Sequence, residues 1–275
     1  MRKSSIVYAA ALLGLASMSS CAPFGSTAQR SDWRVLVYNI HAGKDASGTV
    51  NLERVADIIT GTRTDLVLLQ EVDKGTRRSG GIDQPARLAE LTGLHVSFGN
   101  TLNYQGGEYG IAVLSRWPIV SDTLIGLPVD PPQERAGGAY EPRGILMTEV
   151  ATARGKLYAL DTHLDASGFD RFRMQEVAGV RELADRLIAT GAPVVVGGDF
   201  NAEPESAVIR WMMGTDWRDA WTQCGEGDGG TYPATDPVKR IDYLFIPPSV
   251  ACSSATVLRS DASDHRPVLF VLHPR

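Results

Sequence analysis

The sequence predicts an α/β fold, and three observations carry that reading. Apolar runs such as Val35-Leu36-Val37, Leu66-Val67-Leu68-Leu69 and Val194-Val195-Val196 are unbroken rather than alternating. That is the pattern of strands covered on both faces. Between the strands lie stretches with helical spacing, the strongest from Arg171 to Ala189, where Met174, Val177, Val180, Leu183, Leu187 and Ile188 form one stripe. Finally, titratable or amide side chains recur where the apolar runs begin or end.

Taken in order, Trp33 to His41 opens the fold as a strand that ends in a polar pair, with Asn39 at its carboxyl end. Asn51 can cap a helix with Leu52, Val55, Ile58 and Ile59 on one face, closed by Gly61. Asp65 to Asp73 is the next buried strand, ending in Glu71 and Asp73. A parallel pair joined by a helix brings both strand ends to one rim, so Asn39 and Glu71 are expected to be neighbours. The loop Lys74 to Gly81 carries Arg77 and Arg78, which either reach a phosphate-bearing substrate or stay solvated. Gln84 to Leu91 is a short helix ended by Gly93, and His95 belongs to the strand after it, packed or at the surface.

Glu108 to Ile119 is a strand entered past Tyr109, and Leu124 to Tyr140, rich in Pro and Gly, is expected to be a long loop facing substrate. Arg143 opens a strand running to Val150, which pairs across the turn Thr152 to Gly155 with Lys156 to Thr162. His163 stands at the mouth of that second strand. The helix from Arg171 follows, then Val194 to Val196, where Gly197 and Gly198 are expected to turn the chain so that Asp199 and Asn201 project from one face. Asp and Asn after glycines also form ordinary turns. Glu203 to Met213 is helical, Arg240 to Ile246 is a strand with Asp242 near its start, and Asp264 and His265 precede the closing strand Val268 to Leu272.

With 275 residues and no break in composition, nothing favours two domains over one. The start differs from the rest, with Arg2 and Lys3 before the apolar run Ile6 to Leu15 and small residues up to Cys21. This describes an export signal, too short for a comfortable membrane span. The expected organisation is a signal over 1–21, a tether over 22–31 and one domain over 32–275. Leu15 to Cys21 resembles a bacterial lipoprotein signal, although Met18 stands where such signals usually carry Leu. Lipidation of Cys21 would make an envelope lipoprotein; cleavage near Ser26-Thr27-Ala28 would release a secreted or periplasmic protein. Loss of Arg2 and Lys3 with the signal moves the formal charge from −5 to −7. Such a surface repels long polyanions, so nucleic acid is considered as a substrate only. Cys224 and Cys252 then form a disulfide or remain two buried thiols, and no cysteine cluster resembles a zinc site.

Tyr-Asn-Ile-His, Gln-Glu-Val-Asp, Thr-His-Leu-Asp, Gly-Gly-Asp-Phe-Asn, Arg-Ile-Asp-Tyr and Ser-Asp-His-Arg-Pro follow one another in this order. The series resembles the endonuclease/exonuclease/phosphatase superfamily, which includes deoxyribonuclease I, abasic-site endonucleases, inositol-polyphosphate 5-phosphatases and neutral sphingomyelinases. The resemblance runs over nearly all of Asp32 to Pro274. It implies a deoxyribonuclease I-like, four-layer α-β-β-α sandwich of two stacked β-sheets, with the site along one edge. One departure is Ile111, where many relatives carry Asn after the Tyr-Gly pair.

Hydrolysis of a phosphodiester needs charge neutralisation, an activated water and stabilisation of charge in the transition state. Glu71, with Asn39 and Asp264 around it, offers oxygen donors that suit Mg²⁺ or Mn²⁺ rather than Zn²⁺. The resemblance implies that Asp199 activates water, that Asn201 fixes it or a phosphate oxygen, and that His163 and His265 donate to phosphate oxygens. Asp242 would hold His265 by hydrogen bond. Arg143 would contact phosphate and Tyr109 would line the pocket; His41 and His273 receive no role. The expected function is a metal-dependent phosphodiesterase acting on a small or lipid-linked phosphate. The alternatives are an extracellular nuclease and a non-catalytic envelope binding protein.

Overall fold

The computed structural model describes residues 32–45, 47–132 and 141–275. The expected signal, the tether and Cys21 lie outside the described residues, as do residues 133–140 of the loop expected to face substrate. No helix among the described residues is long and apolar enough to cross a membrane.

The first half of the domain contains β1 (Trp33–Asn39), α1 (Leu52–Gly61), β2 (Leu66–Lys74), α2 (Gln84–Thr92), β3 (His95–Tyr104), β4 (Gly107–Ser115) and β5 (Ile119–Leu127). The second half contains β6 (Arg143–Thr152), β7 (Gly155–His163), α3 (Asp170–Ile188), β8 (Val194–Asp199), α4 (Ala207–Met213), β9 (Arg218–Asp219), α5 (Ala220–Cys224), β10 (Asp242–Ile246), β11 (Val250–Val257) and β12 (Val268–Pro274). They form two six-stranded sheets, ordered β11-β12-β1-β2-β4-β3 and β5-β6-β7-β8-β10-β9. Each sheet holds one parallel pair near its centre, β1 with β2 and β7 with β8, flanked by antiparallel neighbours.

Three apolar layers hold the sheets and helices together. Val35, Val37, Leu66, Leu68, Leu157, Ala159, Val195 and Leu244 fill the space between the sheets. Leu36, Tyr38, Val67 and Leu69 leave the other face of the first sheet and pack on α1 and α2. Leu160, Val194, Val196 and Phe245 leave the outer face of the second sheet and meet α3 and α4. The unbroken apolar runs therefore serve two layers at once, with odd and even positions going to different cores. The result is the four-layer α-β-β-α sandwich that the sequence motifs implied.

Local chemistry explains the helix boundaries. The Asn51 side chain accepts the Arg54 N–H at 3.2 Å and so caps α1. Asp83 caps α2 in the same way, and Gly93 closes it in the left-handed region. Three expectations need correction. The strand β5 extends to Leu127, so the first part of the expected loop is an edge strand paired with β6. The helix expected from Glu203 begins only after Ser206, whose hydroxyl accepts the Ile209 N–H. Gly197 and Gly198 do not turn the chain; they lie inside β8, where a Cβ at Gly198 would fall on the Thr162 carbonyl oxygen. Cys224 and Cys252 are joined as a disulfide between α5 and β11.

Candidate active site

Strand alternation decides which rim groups meet. Asn39 continues the inward series of Val35 and Val37, His163 that of Leu157 and Ala159, Asp199 that of Val195, and Asp242 that of Leu244 and Ile246. All four side chains therefore point into the seam between the sheets, just beyond the point where its apolar filling stops. Asp199 is their hub. Its Oδ2 accepts from Asn39 Nδ2 at 3.0 Å and lies 3.6 Å from His163 Nε2 and 3.7 Å from His265 Nε2. Its Oδ1 accepts the backbone N–H of Asn201 at 2.9 Å. Asn201 itself has a left-handed φ of 48° and lies past the end of β8, so a turn, not strand alternation, brings it beside Asp199. Its Nδ2 donates to the Leu164 carbonyl at 3.0 Å.

Glu71 reaches the same place by a different device. By alternation it would follow Val67 and Leu69 toward the helices. A bulge in β2 between Leu69 and Val72 inserts one extra residue against β4, and Glu71 takes a left-handed φ of 57°. Val72 resumes the helix side while Glu71 turns into the cavity, where its Oε1 accepts from Asn39 Nδ2 at 3.3 Å. The expected proximity of Asn39 and Glu71 is thus present, with Asn39 and Gln70 as register partners across the parallel pair. Asp264 lines the cavity too, with His41 Nδ1 at 3.6 Å and Ser263 Oγ at 3.3 Å from its Oδ1. Ser263 also donates to the Asn39 carbonyl at 2.7 Å, tying the last loop to the end of β1.

Two positions in this site could take a cation. Asp199, Asp242 and His265 present ligand atoms within 4.8 Å of one another. Asp242 Oδ2 is 2.9 Å from His265 Nδ1, however. Burial works against a charged His265, but Asp242 and Asp199 outweigh it and lift the imidazole to about 10. Charged in this way and bonded to Asp242, the imidazole ties the trio into a hydrogen-bonded ion cluster. The other position is the cavity face of Glu71 and Asp264, to which no cysteine contributes; Asn39 lies behind it, its Nδ2 on Glu71 and its Oδ1 accepting the His41 N–H at 3.1 Å. That donor set fits a hard divalent cation.

Burial, and then the Asp242 carboxylate, push Asp199 up to about 7 against the pull of His265. The Tyr232 ring packs on the His265 ring with centroids 4.9 Å apart. The cavity encloses about 1010 Å³, and Tyr109, Arg143, Arg78 and Glu141 form another wall. Arg143 is buried with Nη1 2.7 Å from Glu141 Oε1. Burial opposes its charge, and Tyr109, Glu141, Glu176 and Glu71 outweigh that opposition. Burial also pushes the Tyr109 hydroxyl well above the ordinary phenol range.

The structure thus brings together every side chain singled out in the sequence, with Asp242 just behind His265. It adds others that spacing could not reveal. Arg78, which the sequence leaves open between substrate and solvent, is clamped by the buried Asp73, with Nε to Oδ2 and Nη2 to Oδ1 both at 2.8 Å. Its guanidinium lies 5.0 Å from the Tyr104 ring and 5.1 Å from the Tyr109 ring. Tyr232 is 33 positions from His265 in a Thr-Tyr-Pro loop, with no periodicity to betray the contact. His41, which receives no role in the sequence reading, is partly exposed but borders Asp264. His273 forms no part of the site; its Nε2 is 2.8 Å from Ser253 Oγ.

This geometry accords with what the chain resembles. The model of the Endonuclease/Exonuclease/phosphatase family matches residues 36–265. The uncharacterized protein YbhP of Escherichia coli (strain K12) is 28% identical over 261 residues, spanning 89% of this chain and 98% of its own. A solved endonuclease/exonuclease/phosphatase from Beutenbergia cavernae superposes with a TM-score of 0.75 at 26% identity, over 89% of this chain and 72% of its own. The mannosyl-6-phosphatase Bt3783 of Bacteroides thetaiotaomicron superposes with a TM-score of 0.72 at 19% identity, over 87% of this chain and 99% of its own, a likeness of fold. The matched family span runs from β1 through His265 and so includes both halves of the cavity. The chain belongs to the Endonuclease/Exonuclease/phosphatase family.

Proposed function

We propose that the chain is a divalent-metal-dependent phosphodiesterase acting on a small or lipid-linked phosphate. Membership in a hydrolytic superfamily of nucleases and phosphatases, typically dependent on a divalent metal, supports a hydrolase. The observation that carries the finer reading is the single carboxylate Asp199 within 3.7 Å of the Nε2 atoms of both His163 and His265. A buried base beside two imidazole donors is what in-line attack of water on a phosphate requires.

In this reading Asp199 takes the proton of the attacking water. Asn201 helps to place that water through its Oδ1, since its Nδ2 is held by Leu164. His265, kept cationic by Asp242, and His163 donate N–H groups to the non-bridging oxygens as negative charge builds there. Arg143 holds the phosphate, and Tyr109 shapes the wall beside it. Glu71 and Asp264, with Asn39 behind them, would hold Mg²⁺ or Mn²⁺, which when bound neutralises phosphate charge and stabilises the leaving oxygen. The net negative charge favours a compact substrate over a long polyanion. We also infer export, with Cys21 as a lipid anchor; membrane fractionation of the full chain against Cys21→Ala checks that part.

The test is turnover of bis(p-nitrophenyl) phosphate, sphingomyelin vesicles, plasmid and RNA by the mature protein with Mg²⁺, with and without EDTA. Small-ester or lipid turnover that EDTA abolishes, and that Asp199→Asn lowers by at least about 10²-fold, is expected. Plasmid nicking without the other activities would replace the reading with a nuclease. Absence of both turnover and Mg²⁺ binding would leave a binding protein.

A further inference from the structure

Gln70 and Asp161 lie behind the site, fully buried between the sheets. Gln70 is one residue before Glu71 on β2, and Asp161 is two before His163 on β7. Both follow the inward parity, Gln70 after Leu66 and Leu68, Asp161 after Leu157 and Ala159, so the two sheets touch through this polar pair inside an otherwise apolar layer. Gln70 Nε2 donates to Asp161 Oδ1 at 2.6 Å.

The remaining oxygens pose a problem. Gln70 Oε1 and Asp161 Oδ2 are both buried and have no hydrogen-bond partner among the described residues. A buried acceptor left unpaired is destabilising, and here two of them belong to groups already joined at their other ends. The groups acting on Asp161 are Gln70 and the backbone N–H groups of Thr162 and Leu69, none of them charged, so no cation compensates an ionised carboxylate. A single proton resolves both orphans. Placed on Oδ2, it lets the carboxyl O–H donate to Gln70 Oε1 while Gln70 N–H donates to Oδ1, which closes a ring of two hydrogen bonds running in opposite directions.

We propose that Asp161 is a neutral carboxylic acid paired through both oxygens with the Gln70 amide, and that this pair is a positioning element that sets Glu71 on one sheet against His163 on the other. Burial acts in the same direction, pushing the Asp161 carboxyl well above its usual range. The pair has a mechanical reason to sit there. Apolar side chains pack without a fixed register, whereas two antiparallel hydrogen bonds fix both the separation and the slide of the strands that carry them. A neutral acid does this without adding negative charge beside Glu71 and Asp199.

Infrared difference spectra of the whole protein against Asp161→Asn at pH 8 test the protonation state. The native protein is expected to show a carboxylic-acid carbonyl band, shifted in D₂O and missing from the variant. A carboxylate band alone would overturn the proposal. Should the variant not fold, ¹³C-labelled aspartate in the native chain gives the same answer, through a carboxyl signal that keeps its acid-form shift up to pH 8. The positioning role is read separately. The amide introduced by Asp161→Asn can still donate one N–H and accept another, so that variant should retain kcat within about 2-fold, whereas Asp161→Ala, which strands the Gln70 amide, should lose about 10-fold or more in kcat with little change in KM. Equal damage from both substitutions overturns the role. The kcat readout rests on the phosphodiesterase reading. The infrared band does not, so a protein with the band but without turnover fails that reading alone.

Discussion

Asp242→Asn isolates one charge and leaves the rest of the site in place. His265 Nδ1 lies 2.9 Å from Asp242 Oδ2 and its Nε2 3.7 Å from Asp199 Oδ2. Burial by itself would drive the imidazole below its ordinary 6.5; Asp242, and after it Asp199, reverse this and lift it to about 10. The substitution removes the larger lifting charge, and burial then opposes what Asp199 supplies, so the imidazole falls well below about 10. The protonated share of His265 therefore shrinks more at pH 8 than at pH 6. If His265 must donate to the phosphate, kcat/KM on bis(p-nitrophenyl) phosphate should drop by about 10-fold or more at pH 8 and by clearly less at pH 6. Initial rates with Mg²⁺, stopped in alkali so that nitrophenolate is read at one pH, measure both. A loss of the same size at pH 6 and pH 8 would refute the idea that Asp242 acts through the charge of His265.

Two further outcomes concern stability. Glu176 on α3 accepts the Asp165 N–H at 2.7 Å, and burial raises its carboxyl from 4.5 to about 7. The folded chain keeps that proton while the unfolded chain releases it, so folding stability should fall as pH rises from about 4.5 to about 7 and level off above, by about 3 kcal/mol at most. Glu176→Gln removes this slope; thermal melts should show the variant gaining on the native protein between pH 5 and pH 8, and a constant difference would sink the argument. Replacing Cys224 and Cys252 by serine opens a loop with a sequence separation of 28 residues, and the urea midpoint should fall by the equivalent of about 3–4 kcal/mol. An unmoved midpoint would mean the disulfide is not closed in solution.

What the sequence could yield of this site follows from parity. Asn39, His163, Asp199 and Asp242 each continue an inward series of apolar residues, so alternation alone aims them at the inter-sheet seam. Gln70 and Asp161 obey the same rule and were legible in principle as a buried contact. The edge strand β5 was obscured because Ser121, Asp122 and Thr123 are exposed and polar along one edge of the sheet, where half-covered strands lose their apolar pattern. Glu71 is a different case. Its parity aims it at α1 and α2, and only the bulge reverses it, a feature without glycine or any other local mark, held by pairing of β2 with β4.

That bulge comes at a conformational cost. A non-glycine residue in the left-handed region carries strain of order 1–3 kcal/mol, and among such residues Glu71 and Asn201 line the cavity while His41 stands beside Asp264. A regular β2 would relieve Glu71 but would aim its carboxylate at the apolar layer under α1 and α2, where Val72 now packs. The strain persists because pairing on both sides of β2 overdetermines it, and its effect is to place a carboxylate 3.3 Å from the amide that also holds Asp199. Two acids on different sheets thereby share one Asn39 side chain. A site assembled in this way depends on the sheets keeping their register, which is why a polar pin between them belongs directly behind it.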